Sequence, residues 1–533
     1  MKIVGFTTGH DVSYCVLDNG IPVVHNELER FNRIKETEGD PFEFFLQTYN
    51  DKDDIKHIAH YNLPKGGGAA KRYPESYARV SNIVNNNAGT EFIPGHHQSH
   101  AANAFFSSNF QEALIITIDG GGHDWDSDEK ITRMPYDSDG TITTAFTFWE
   151  GKDNKINNIA ILPYEEICIG AAYGRCTVDI FGLSEGPPKG SQAGTVMGMA
   201  CLGDSSKYYK DFLSSKLQPT SKLKVIAARS EQDMFDVAAG LQRATEIITK
   251  LYLDKYVTKN YKYICLSGGV ALNTVMAGKI FDWYPWIEDI FVDPVPYDGG
   301  LSIGAARYVW HHILDNPRIE WTDDSSPYLG YKYDADEIHA QLKSKEDIVK
   351  YQHVTDDEVI DLLATDDNVI SVYGGGSESG RRALGNRSII ADPRSNNMKD
   401  VINAKVKHRQ WFRPFAPSIL KEEAKNWFVR DLNSPYMSFA IPFKEEMRSK
   451  VPAVVHHDGT GRLQTVTENN NKWYYNFIKK FHTKTGVPIL LNTSFNDREP
   501  IVETPEHAIN CFLKTNIDYL YFYDCGLLIS KKL

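Results

Sequence analysis

Apolar residues near the start of the chain fall into short runs broken by glycine. In "KIVGFTTGHDVSYCVLDNGIPVVHNELERF" an apolar run turns at a glycine-containing stretch after Phe6, resumes as far as Leu17, and passes Asn19-Gly20 into a third run. Asn-Gly is the pair a two-residue type I′ turn demands, so the pattern predicts three strands joined by a loop and a tight hairpin. "ALIITIDGGGHDWDSDEKITRM" opens the same way: an apolar strand from Leu114 to Ile118, a polar Gly-rich turn, then a returning strand. Two such units predict an internally duplicated α/β domain. Their turns, Thr8-Gly9-His10-Asp11 and Asp119-Gly120-Gly121-Gly122, would face each other across a cleft and offer backbone N–H groups to phosphate oxygens. Two unrelated hairpins would give the same pattern.

The period then lengthens. In "MFDVAAGLQRATEIITKLYL", Val237, Leu241, Ala244, Ile248 and Leu251 recur at spacings of four, three, four and three, the mark of an amphipathic helix with a core face. "YICLSGGVALNTVMAGKI" predicts a strand, Ser267-Gly268-Gly269, then a helix from about Val270, a junction that admits a flat ligand or phosphate to backbone and helix end. A tight structural turn reads alike. "IFVDPVPYDGGLSIGAARYVW" repeats the form, with Asp298 at a strand end before Gly299-Gly300, equally a site carboxylate or a plain N-cap. Periodicity lapses over Asn316–Tyr331, "NPRIEWTDDSSPYLGY", which predicts a domain boundary.

The 533 residues, 41% hydrophobic and 24% charged, suffice for two or three domains with cores of their own. A net charge of -12 argues against a long nucleic acid or an anionic membrane as partner and favours small molecules. Seven scattered cysteines form no CxxC pair, which together with the leaderless start "MKIVGFTTGHD" predicts reduced thiols in a cytoplasm. No run approaches the ~20 apolar residues of a membrane helix.

Against this acidic background, the stretch after the boundary collects Arg381, Arg382, Arg387, Arg394, Lys405, Lys407, Arg409 and Arg413, with Arg462 further on and Asn492, Thr493 and Ser494 in "PILLNTSFNDREPIV". Cations interleaved with glycine and amides suit a phosphate or phosphoanhydride pocket better than a solvated face. In "IPGHHQSHAANAFFSS", His96 and His100 stand at i and i+4, so a helix would project both from one face, toward one cation or merely as a polar face. The zinc-protease pattern fails because His97 stands where it needs a Glu.

These stretches, in order, resemble the O-carbamoyltransferases of the NodU/CmcH type, the family of the tobramycin and cephalosporin carbamoyltransferases. The resemblance runs through "GHDVSYCVLDNG", "HHQSHAANAFF", "TIDGGG", "VMGMA", "LSGGVALN", "RRALGNRSIIADPR", "FRPFAPSIL", "DGTGRLQTV" and "LNTSFNDREPIV", nearly the whole chain. It implies a duplicated actin-like ATPase (TsaD-like) domain at 1–322 and a YrdC-like α/β domain at 323–533. It also implies a divalent metal on His96, His100, Asp119 and Asp298, Fe(II) by resemblance although Mn(II), Zn(II) or Mg(II) would suit the same donors. A nucleotide is implied against Gly120, Gly121, Gly268, Gly269 and Asn273, and carbamoyl phosphate on Arg382, Lys407, Arg462, Asn492 and Ser494. His10, next to Asp11, is the candidate catalytic base, with phosphate binding as its alternative role.

The implied reaction joins carbamate from carbamoyl phosphate to AMP from ATP, then transfers the carbamoyl group to a hydroxyl of a small molecule: a natural product, a sugar or a hydroxymethylated nucleotide. A homodimer is compatible with this reading. Departures stand at Gly376, Ser379 and Arg381, where the family carries Arg, Phe and Pro, and at Ala193-Gly194-Thr195, where a Lys is common. Two alternatives share the motifs: a tRNA threonylcarbamoyl transferase-like enzyme and a noncatalytic nucleotide-binding protein. Lys65, Lys71, Arg72 and Arg79 would suit a phosphorylated acceptor, or form a solvated loop.

Overall fold

The computed structural model describes residues 1–61, 71–125, 141–184, 192–319, 327–365 and 367–532. The expected boundary at 322/323 and Lys65 lie outside the described residues. The chain divides into two compact units, Met1–Trp321 and Thr322–Leu533.

In the first unit, β1 (Lys2–Thr7), β2 (Ser13–Asp18), β3 (Ile21–Glu27), β4 (Ile55–His60) and β5 (Thr90–Phe92) form a sheet of order β3-β2-β1-β4-β5. β1 pairs antiparallel with β2 and parallel with β4. A second sheet repeats the plan with β6 (Glu112–Trp125), β7 (Thr141–Lys152), β8 (Lys155–Pro163), β9 (Tyr263–Ser267) and β10 (Asp289–Val292), in the order β10-β9-β6-β7-β8. Its central β6 is antiparallel to β7 and parallel to β9. The shared topology is the duplicated actin-like arrangement. The predicted β2–β3 hairpin is present: Asn19 and Gly20 take φ of 48° and 85°, the left-handed values a type I′ turn requires.

Three expectations need correction. Asp119-Gly120-Gly121-Gly122 is not a turn: β6 runs on to Trp125, and the glycines absorb a register shift between Ile118 and Gly122. Gly121 takes φ 127°, so the strand bulges without reversing. The helix expected near Val270 starts at Thr274, behind one 3₁₀ turn, and Asn273 is its N-cap, accepting from the Met276 N–H at 3.1 Å. On the helix Glu231–Tyr256, Val237, Leu241 and Ala244 are buried but Leu251 is 60% exposed. A spacing that averages 3.5 drifts about 20° per heptad on a helix of 3.6 residues per turn. By that point the inward face has passed to Thr249 and Leu253, both 0% exposed.

The helix His96–Ser107 packs against the second sheet and the helix Leu301–Arg307 against the first, and the two helices meet each other at backbone distance. A Cβ on Gly5 would stand 1.8 Å from the Ser302 carbonyl oxygen, and one on Gly304 would stand 1.9 Å from that of Ser99. This close approach sets Asp298, just before the second helix, beside β1.

The second unit is built on a nine-stranded mixed sheet. Its strands are β11 (Val349–His353), β12 (Ile370–Tyr373), β13 (Arg387–Ala391), β14 (Ala416–Leu420), β15 (Phe439–Pro442), β16 (Thr460–Val466), β17 (Ile489–Ser494), β18 (Tyr519–Phe522) and β19 (Leu527–Lys531), in the order β11-β19-β18-β12-β13-β17-β14-β16-β15. Buried Ile389, Ile390, Ile419, Leu490 and Leu491 form its centre, covered by helices such as Lys472–Thr485. Among the described residues no helix is long and apolar enough to cross a membrane. None of the seven cysteines is in a disulfide.

Candidate active site

His96 and His100 lie on the first turns of the helix His96–Ser107, Asp119 on the bulge of β6, and Asp298 at the loop that opens the helix Leu301–Arg307. Each of the four offers a ligand atom within 4.8 Å of the others, and all are buried. His96 Nε2 is 3.1 Å from Asp119 Oδ2 and 3.7 Å from Asp298 Oδ1. His100 Nε2 is 3.4 Å from Asp298 Oδ1 and 3.9 Å from Asp119 Oδ2. The Gly269 N–H donates to Asp119 Oδ1 at 2.7 Å, and Thr7 Oγ1 donates to the Asp298 carbonyl at 3.2 Å. The carboxylate of Asp298 therefore faces the histidines and caps no helix.

The donors fit a divalent cation. Buried polar groups are nearly always partnered, yet neither ring nitrogen of His100 makes a hydrogen bond, and His100 is 0% exposed. Burial lowers the pKa of His100 against the opposing pull of Asp298, and the neighbouring His96 lowers it further, so its imidazole is held neutral, the form that ligates. Burial also tends to lower His96, but Asp298 and then Asp119 outweigh it and raise that ring to about 9. Conversely, the hydrogen bond from His96 and the charge of that ring overcome burial and hold Asp119 far below the usual carboxylate range. Two imidazoles and two carboxylates at one point make a ligand set for a first-row dication.

His10 Nδ1 lies 2.9 Å from Asp11 Oδ2, and its Nε2 lies 3.4 Å from Asp298 Oδ2. Burial alone would lower its pKa; Asp298, Asp11 and Asp119 reverse that and raise it to about 10. With those carboxylates uncompensated His10 is a cation, and positive charge placed among them would return it toward the range of a base.

Gly268 and Gly269 approach the same cluster. A Cβ on Gly268 (φ 86°) would stand 2.2 Å from the Ile118 carbonyl oxygen, and one on Gly269 would stand 2.9 Å from Asp119 Oδ1. Gly120 accepts from Cys168 Sγ at the start of the helix Ile169–Asp179. Asn273 exchanges two amide hydrogen bonds with Gln242, at 3.1 and 2.9 Å, so its side chain is committed to the protein.

In the second unit, Arg462 on β16 carries the other basic group of note. Burial pushes its pKa well below the ordinary guanidinium value, and Arg382, Arg409 and Arg413 push it in the same direction. Its Nε is buried without a hydrogen bond. The charges of Arg382, Arg409 and Arg413 are felt at Arg462, and an anion bound among them would relieve that repulsion. Lys407 and Ser494 also come together: the Lys407 ammonium donates to the Ser494 carbonyl at 2.6 Å and to Asn496 Oδ1 at 2.7 Å. Asn492 is fully buried, and its amide donates to the Ala383 carbonyl at 3.0 Å, to Ser418 and to Gln464. It thus anchors the loop that carries Arg382.

The departures at Gly376 and Ser379 have a local account. The segment Pro327–Gly330 lies over Gly376–Ser379, with the Ser379 N–H donating to the Pro327 carbonyl at 2.7 Å and the Gly330 N–H to that of Ser377 at 3.1 Å. A Cβ on Gly376 would stand 2.7 Å from the Tyr328 carbonyl oxygen, so no longer side chain fits there. Of the cations suggested for a phosphorylated acceptor, Arg79 is paired with Glu43 at 2.7 Å, and Lys71 and Arg72 are exposed.

No motif marks Asp124, and Arg409 and Arg413 carry no specific role by sequence alone. Asp124 was hidden because the strand was expected to end before it. The two arginines were visible only as part of a basic run.

The family model described as Carbamoyltransferase N-terminus matches residues 207–307, and Carbamoyltransferase C-terminus matches residues 361–529. The nodulation protein NolNO of Sinorhizobium fredii is 33% identical over 96% of this chain and 78% of its own length. An uncharacterised protein of Methanocaldococcus jannaschii is 30% identical over 99% of both. Among solved structures, HypF of T. kodakarensis is matched at a TM-score of 0.37 and 13% identity, over 59% of this chain and 47% of that one. The chain belongs to the carbamoyltransferase family, and is an enzyme of carbamoyl transfer.

Proposed function

We propose that the protein is an ATP-dependent O-carbamoyltransferase that makes carbamoyl adenylate and passes its carbamoyl group to a hydroxyl of a small molecule. The observation that carries this reading is the pair of unlike centres: a His/Asp cluster fit for a dication, and a guanidinium cluster fit for a phosphorylated anion. In the second unit, Arg382 and Arg462 hold the phosphate of carbamoyl phosphate, while Lys407, Ser494 and Asn492 fix the surrounding loops. Water cleaves the bound carbamoyl phosphate to carbamate and inorganic phosphate, and the carbamate oxygen then attacks the α-phosphorus of ATP as pyrophosphate departs.

In the first unit, the bulge at Gly120 and Gly121 and the turn at Gly268 and Gly269 receive the nucleotide. His96, His100, Asp119 and Asp298 would hold the cation, which supplies charge to polarise the carbamoyl group and bind phosphate. His10, oriented by Asp11, takes the proton of the acceptor hydroxyl as oxygen bonds to the carbamoyl carbon and AMP leaves. A base so placed contributes about 10² to 10⁴ in rate.

Two variants test the division of labour. His100→Ala should retain pyrophosphate release dependent on carbamoyl phosphate yet transfer nothing. Arg462→Ala should release no pyrophosphate yet use preformed carbamoyl adenylate. Loss of both partial reactions in either variant would overturn the division.

A further inference from the structure

Asp124 stands on β6 five residues beyond Asp119, buried to 3% exposure. Its Oδ1 accepts from the backbone N–H of His97 at 2.7 Å and of Gln98 at 3.1 Å. Its Oδ2 lies 2.8 Å from His97 Nδ1 and also accepts from Thr144 Oγ1. Four donors fill the four lone-pair sites of one carboxylate, so it has none left for a cation.

The helix His96–Ser107 needs those bonds. Its N-cap is Gly95, which has no side chain to meet the orphan N–H groups of the first turn. Asp124 meets two of them from another strand, and Gly95 makes room for it: a Cβ there would stand 2.6 Å from Asp124 Oδ1. Its negative charge also sits at the positive end of the helix dipole. His97 and then Thr144 outweigh burial and hold the Asp124 carboxyl below its ordinary value, at about 2.

We propose that Asp124 is a positioning residue for the cation site, an outside cap that locks the first turn of the helix so that His96 and His100 meet Asp119 in a preformed geometry. This rests on the metal reading above and adds a residue to it. One strand then carries both a ligand and the device that aims the opposing ligands. Outer groups of this kind are worth 10- to 100-fold in metal affinity.

The test uses the full chain with Mn(II) as probe, titrated by calorimetry well below the melting temperature. Asp124→Asn keeps the shape but loses the charge and an acceptor oxygen; Mn(II) affinity should fall 10- to 100-fold. Thr144→Val, which removes one bond to Asp124, should weaken Mn(II) less but measurably. Thr117→Val is the control for stability alone, because the Thr117 hydroxyl bonds Thr147 on the same hairpin at 2.6 Å and hydrogen-bonds none of the four ligands. Its Mn(II) affinity should be unchanged.

Hydrogen exchange on the metal-free protein gives a second readout: the His97 and Gln98 amides should exchange faster in Asp124→Asn. Wild-type affinity in Asp124→Asn, or an equal loss in Thr117→Val, would overturn the proposal. If the wild type takes up no cation, the metal reading fails by itself, and the exchange arm decides the positioning role: unchanged exchange at those amides refutes it.

Discussion

Gly122→Ala puts one methyl group against the ring of His96. A Cβ at that position would stand 2.2 Å from His96 Cγ and 2.3 Å from its Cδ2, whereas ordinary contact begins at 3.4 Å. The gap is about 1.2 Å, and Gly122 lies outside the positive-φ residues, so the effect is steric alone. If the ring held its place, the overlap would cost about 1–3 kcal/mol of stability, as overpacking does in a close-packed interior. If it withdrew, Nε2 would leave its 3.1 Å station beside Asp119 by a comparable distance. A shift of about 1 Å is large for a ligand, and the expected loss is 10- to 100-fold in cation affinity, about 1.4–2.8 kcal/mol.

Calorimetric titration with Mn(II), beside a melting curve of the metal-free protein, separates the two responses. Gly194→Ala is the neutral comparison, since a Cβ there meets nothing within 4 Å. Gly122→Ala should lose stability, affinity or both in these amounts, and Gly194→Ala neither. Wild-type affinity together with a wild-type melting temperature in Gly122→Ala would show that the contact between β6 and His96 is not as described.

His100→Ala should abolish cation binding, read by the same titration, while circular dichroism shows the fold retained. Arg462→Ala should leave the ligand-free protein as stable or slightly more so, because it removes a buried charge pressed by three like charges, and should abolish turnover with carbamoyl phosphate. His311 gives a pH prediction. Burial, with Arg307 and Arg318 adding to it, lowers its pKa to about 3 from about 6.5. A group held neutral in the folded state favours unfolding once the unfolded chain takes up the proton. Stability should therefore fall on acidification from pH 6.5 toward 3, by up to about 1.4 kcal/mol per unit. His311→Asn should flatten that part of the profile in a series of melts.

How much was legible in the sequence follows from the range over which each feature is decided. The Asn19-Gly20 hairpin and the His96/His100 pair could be read because their causes are local: left-handed φ at two positions, and the pitch of a helix. Asp298 was ambiguous until Thr7, His10 and the two histidines surrounded it, since only tertiary packing separates a cap from a ligand. Asp119-Gly120-Gly121-Gly122 was misread as a turn because glycine permits both a reversal and a bulge, and pairing with β7 decides between them. That error hid Asp124. Leu251 failed for a geometric reason, accumulated drift of the helical period. That the Asn492 side-chain nitrogen is spent on the Ala383 carbonyl, Ser418 and Gln464, while its oxygen is left without a bond, is disclosed by no spacing in the chain.

The most direct measurement of the central claim follows AMP release and carbamoyl gain together. The Mn(II)-loaded protein is given ATP, carbamoyl phosphate and a panel of hydroxylated sugars, aminoglycosides and nucleotides, and products are read by mass. The account predicts one AMP for each acceptor molecule heavier by one carbamoyl group, and no transfer when ATP or the cation is withheld. Transfer from carbamoyl phosphate without ATP, or full transfer by His100→Ala, would contradict it.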